Sequence, residues 1–172
     1  PFLRMETPLS TFLPFQKYHS IENSYRPKTV QYIRGAIQED TQWVALEKIH
    51  GCNFSATTDG VTVKWGSRSA YLENSALCGF YRADVIQSRH DDQIRALFTV
   101  LQNDDMDITY IQVFGELYGG KYPGMTSQFK SVQKEIAYSP NIEFIVYDIK
   151  CIVHRIQHTV AAPPENAPAP EL

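Results

Sequence analysis

Hydrophobic and polar positions divide this chain into short extended runs around one helical stretch. Residues 43–47, Trp-Val-Ala-Leu-Glu, make an apolar run of strand length that stops at the polar turn His50-Gly51-Cys52-Asn53. Residues 54–57 resume an extended pattern. Asp59-Gly60 is a strong hairpin signal, and residues 61–65 alternate as the returning strand until Gly66 and Ser67. From Cys78 the period changes. Phe80, Val85, Ile94, Leu97, Phe98 and Leu101 recur at helical spacing, which predicts one or two amphipathic helices covering the sheet and ending at Asp104-Asp105. A β-branched and aromatic strand is expected over 109–114, a loop through Gly115, Gly119, Gly120, Pro123 and Gly124, and a further strand over 141–149. Upstream, 21–26 and 28–38 carry short helical pieces, and Glu39-Asp40-Thr41 a polar turn.

The order of elements is antiparallel strands plus a helical insert, an α+β pattern rather than alternating βαβ units. At 172 residues and 43% hydrophobic types, the chain can bury a core without disulfide staples. Residues 1–14 read as an irregular lead-in and 15–150 as the folded part. Residues 151–172, rich in proline and alanine towards their end, read as a tail expected to be disordered. The net charge of −3 excludes a polycation that holds nucleic acid by bulk charge, so contact with RNA or DNA needs a local basic groove. Cys52, Cys78 and Cys151 form no CxxC pair, which argues against a zinc ribbon and for free thiols in a reducing, intracellular setting. No run approaches the roughly 20 apolar residues of a membrane span, so no membrane partner is expected.

The chemistry is concentrated in Glu47-Lys48-Ile49-His50-Gly51-Cys52-Asn53-Phe54. A lysine amine becomes nucleophilic where its surroundings disfavour the charged form, and the end of a buried strand beside a cation can do this. Taken alone, the segment is an ordinary strand-to-turn junction. Read with its neighbours it resembles motif I, KxxG, of the covalent nucleotidyltransferases, and the longer EKIHGxNF string resembles the RNA ligase 2 family of phage RNA-repair and kinetoplastid RNA-editing ligases. Other matches fall in order. Lys17-Tyr18-His19-Ser20-Ile21-Glu22-Asn23 is similar to the family's KYxSxEN string, and Ser67-Arg68-Ser69 to its arginine-containing motif. Gln112-Val113-Phe114-Gly115-Glu116 is similar to motif III, and Phe144-Ile145-Val146-Tyr147-Asp148-Ile149 to motif IIIa.

The resemblance implies the antiparallel, ATP-grasp-like adenylation domain of DNA and RNA ligases, incomplete at the C-terminus. It implies an ATP- and Mg2+-dependent RNA ligase that joins 5′-phosphate to 3′-hydroxyl ends through lysyl-AMP and RNA-adenylate, in RNA repair or editing. Lys48 is then the nucleophile. Glu47 accepts from the adenine amino group, Ile49 and His50 lie near the nucleotide, and Asn53 supports sealing. Arg68 holds phosphate or ribose, Glu116 the ribose hydroxyls, and Tyr147 stacks on adenine. No metal ligands are assigned. Cys52, where relatives often carry Thr, places an oxidisable thiol beside the site. Lys121, Lys130 and Lys134 stay outside the site, as a solvated basic face or a groove wall. Partners implied are nicked RNA or RNA ends, and proteins of a repair or editing complex. The compartment is cytoplasmic, or mitochondrial for an editing ligase.

Past Ile149 neither motif IV nor motif V of the family is found, and Lys150 is the last lysine. A different reading follows from that: a non-catalytic or truncated nucleotide- or RNA-binding remnant. A DNA ligase or capping guanylyltransferase is disfavoured by the His50-Gly51-x-Asn53 extension.

Overall fold

The computed structural model describes residues 12–20, 23, 25–38, 40–102 and 107–153. Helix α1 spans Pro27–Ala36. Strands β1 (Cys52–Thr58) and β2 (Val63–Gly66) follow, then helices α2 (Asn74–Gly79) and α3 (Asp84–Gln102), and strands β3 (Ile108–Lys121) and β4 (Ser139–Val153). The four strands form one antiparallel sheet in the order β2-β1-β3-β4. This is the expected α+β architecture, an antiparallel sheet with helices rather than alternating βαβ units. The expected hairpin is present: Asp59 Oδ1 accepts from the Val61 and Thr62 amides between β1 and β2. No described helix is long and apolar enough to cross a membrane.

Strand alternation sorts the sheet into two faces. Phe54, Ala56, Trp65, Ile111, Val113, Leu117 and Ile142 point to the face that α3 covers with Ile86, Ile94 and Phe98. Phe54 and Trp65 stack with their centroids 5.1 Å apart, and Phe144 meets both edge-on. Each such buried side chain contributes roughly 1.5–3 kcal/mol by leaving water. The Trp65 indole N–H is satisfied at this interface by donating to Asp91 Oδ1 of α3 at 2.7 Å.

The opposite face carries Asn53, Ser55, Thr57, Lys64, Gln112, Phe114 and Glu116. Residues 12–20 cross it as an extended strap without regular structure. Phe12 and Phe15 pack edge-on against Tyr71, the Gln112 side-chain amide donates to the Gln16 carbonyl, and the Tyr71 hydroxyl donates to the Leu13 carbonyl. The Tyr18 ring rests on Phe114, and its hydroxyl donates to Asp148.

Several sequence expectations change. Residues 43–47 form no strand: Trp43, Val44 and Leu46 are exposed, because no neighbouring strand offers them a ladder. Residues 61–65 yield a strand only from Val63. The glycine-rich stretch 115–120 is strand, not loop. At Gly119, with φ of +99°, an added Cβ would lie 2.0 Å from the Asn141 carbonyl oxygen, so glycine there lets β4 approach. Strand β4 runs to Val153, and its Pro140 is tolerated because β4 is an edge. The helical expectation for 21–26 finds only a turn at Tyr25 and Arg26; residues 21, 22 and 24 lie outside the described set, as do Asp104-Asp105, most of the lead-in and the proline-rich tail.

Candidate active site

The turn before β1 is fixed through Gly51. It is buried, and a Cβ on it would sit 2.1 Å from the Leu117 carbonyl oxygen of β3. Only glycine allows that approach. Its amide donates to Glu116 Oε1 at 3.0 Å, and its carbonyl accepts from the Gln133 side-chain amide at 2.7 Å. The motif III carboxylate is therefore tied to the backbone of the Lys48-Ile49-His50-Gly51 turn. Tyr138 braces the preceding residues, its hydroxyl accepting from the His50 amide at 3.2 Å and donating to Glu47 at 3.4 Å.

A cleft of about 650 Å³ opens over this turn. Lys48, His50, Gly51, Asn53, Arg68 and Glu116 line it, so three stretches of the motif resemblance meet at one place, and Lys17, Tyr18, His19 and Ser20 bring a fourth. Arg68 arrives from the loop after β2, between Ser67 and Ser69. Asn53 and Glu116 are cross-strand partners on the strap-covered face. Lys17, Tyr18, His19 and Ser20 close one wall, and Phe80 and Tyr81 another. Tyr81 holds this position in left-handed backbone at φ of 53°. These wall residues are absent from the sequence-predicted site; the KYxSxEN match was the available signal for the first group, while the pattern around Tyr81 carries none.

Ile49, Glu47 and Tyr147 lie outside the cleft lining. Glu47 is exposed on the Tyr138 side, and Ile49 is half-buried in the turn. Tyr147 meets Asn53 by way of a bulge. Phe114 pairs with Asp148 but Gly115 pairs with Val146, which leaves Tyr147 as the extra residue of β4. Its hydroxyl accepts from the Asn53 side-chain amide, and its ring meets Tyr18 edge-on. Burial first, then the Glu116 carboxylate, Tyr18 and Asp148, push its phenol up to about 12. Lys121 and Lys130 are not among the lining residues, the first donating to the Lys134 carbonyl and the second lying over the ring of the wall residue Tyr81.

Cys52 corrects an expectation. It borders the cleft, but it faces the core, and burial, with Glu116 adding to it, pushes its thiol up to about 12. Such a thiol is almost wholly protonated at neutral pH and is not an oxidation-prone nucleophile. All three cysteines are free.

Residues 41–167 match the model of the RNA ligase family. The chain belongs to the RNA ligase family. The match runs past Ile149, where the motif resemblance stops. The chain is also 26% identical over 155 residues to a protein named RNA-editing ligase 2, mitochondrial, of Trypanosoma brucei brucei; the alignment covers 79% of this chain and 36% of that relative. The chain thus spans about a third of the length of this RNA ligase relative. Among the described residues, no group of three or more His, Cys, Asp or Glu gathers to hold a metal ion, and Glu116 is the one carboxylate lining the cleft.

Proposed function

We propose that this chain carries the nucleotidyltransferase site of an ATP-dependent RNA ligase, with Lys48 as the residue that becomes adenylylated. The observation that supports it best is the Gly51–Glu116 hydrogen bond, which couples the lysine turn to motif III inside a cleft also lined by Lys17, His50 and Arg68. The neutral amine of Lys48 attacks the α-phosphorus of ATP. An N–P bond forms, the bond to the pyrophosphate oxygen breaks, and the amine gives up a proton. AMP then passes to an RNA 5′-phosphate, and a 3′-hydroxyl displaces it. Such transfers depend on positioning and charge neutralisation. Arg68 suits this because its planar fork matches phosphate oxygens, and His50 and Lys17 add donors. Glu116 accepts from ribose hydroxyls with the carboxylate oxygen that Gly51 does not occupy. Tyr147 offers adenine a ring, Asn53 orients that ring through its hydroxyl, and Glu47 and Ile49 border the nucleotide. The described carboxylates do not make a magnesium cage. Magnesium is commonly held largely by nucleotide phosphates.

Incubation with labelled ATP and magnesium should mark the chain, and Lys48→Ala should abolish the mark. A mark that survives Lys48→Ala would overturn the nucleophile. Nicked or broken-ended RNA is the proposed substrate, and other proteins of a repair or editing assembly are proposed partners. A cytoplasmic or mitochondrial site, the latter following the relative's name, belongs to the same reading, as does a folded unit over 15–150. The second reading, a binding remnant, is favoured by one observation: among the described residues a single carboxylate lines the cleft. Retained ATP or RNA binding without any mark would select it.

A further inference from the structure

Helix α1 has no buried residue. Yet it is not a neutral surface. Residues 25–34 hold Arg26, Lys28 and Arg34 and no acid, in a chain whose net charge is −3. Tyr25 and Tyr32 are nearly four-fifths exposed. Helical spacing puts Lys28 and Tyr32 one turn apart on one face. That face lines a second hollow of about 1010 Å³, together with Arg26, Ile33, His19 and Ser20. His19 and Ser20 also line the Lys48 cleft, so the two depressions are contiguous.

We infer that the Lys28–Tyr32 face of α1 is a docking surface for the RNA strand that enters the Lys48 cleft. The surface has the two components that single strands need: cations for the phosphate backbone, and an exposed ring on which a base can stack. An acidic peptide would use the cations but leave the tyrosine face unexplained. The His19-Ser20 bridge would hand the strand from α1 to the cleft. This inference rests on the RNA ligase reading for its substrate, but its test does not require ligation.

The experiment measures binding of a 5′-phosphorylated nicked RNA duplex with a single-stranded flank by fluorescence anisotropy across a salt series. The wild-type chain is compared with Lys28→Glu/Tyr32→Ala and with Arg34→Glu. The double variant should keep its helix, because an acid in the first turn complements the helix dipole and alanine favours helix. Its affinity should fall about tenfold or more, and the slope of log affinity against log salt should flatten by about one. Arg34 lies on another face, so Arg34→Glu removes the same charge and should cost no more than about threefold. Wild-type binding too weak to detect, a double-variant loss below about threefold, or an equal loss in Arg34→Glu would each overturn the surface. Labelling of Lys48 by ATP, measured in parallel, separates the two ideas. Retained labelling with lost RNA affinity supports both. RNA affinity lost selectively in the double variant, with no labelling of any chain, supports the surface and removes the ligase reading.

Discussion

Gly51 is the residue on which the site's geometry turns, since it touches β3, Glu116 and Gln133 at once. Gly51→Ala should force the turn off Leu117, lower stability by about 1–3 kcal/mol as overpacking does, and reduce Lys48 labelling more than the stability loss explains. Thermal unfolding and ATP labelling, measured on the same preparation, would check this. Cys52 gives a second expectation. Its folded-state thiol ionises only near 12, whereas an ordinary thiol does so near 9. The folded state therefore holds its proton longer, and the stability this provides is complete below about pH 9 and lost as pH rises towards 12. At pH 8, iodoacetamide should modify exposed Cys78 well before Cys52, and mass spectrometry of peptides would read the order.

At the scale of elements, what the sequence made legible depended on whether local pattern and tertiary partner agreed. Helix α3 was visible because Ile94 and Phe98 meet the sheet at the spacing their helix dictates. The 59–60 hairpin was visible because Asp59 builds its own turn. Residues 43–47 misled because strand propensity describes a fit to neighbouring strands, and none pairs there. Glycines at 115 and 119 misled in the other direction, since they serve close strand approach. Among the cleft-lining residues, Lys48, His50, Asn53, Arg68 and Glu116 were legible through motif order. The wall supplied by Tyr81 and the brace that Tyr138 gives the turn were not, because both arrive by packing from distant elements. The β2–α3 contact offers a prediction of its own. Asp91→Ala leaves the Trp65 indole N–H buried and unpaired, so it should cost about 1–3 kcal/mol in a denaturant titration without abolishing ATP labelling.

Across the described residues the molecule is a sheet with two unlike coats, helix α3 on one face and an extended strap on the other. Its two tryptophans report on different regions: Trp65 is 1% exposed within the core, and Trp43 is 70% exposed ahead of the lysine turn. Acrylamide should quench Trp43 and spare Trp65, and Trp43→Phe should leave a blue-shifted, poorly quenched emission. If Trp43 were instead protected, residues 43–47 would be covered in solution. The bulge in β4 has a consequence for how such a domain can vary over generations. The residues flanking Tyr147 pair with adjacent residues of β3, Val146 with Gly115 and Asp148 with Phe114. Loss of that one codon would close the ladder rather than break it. A lineage can thus shed the ring beside Asn53 by a single in-frame deletion and keep the pairing of β3 with β4, so the presence of that ring is not dictated by the sheet.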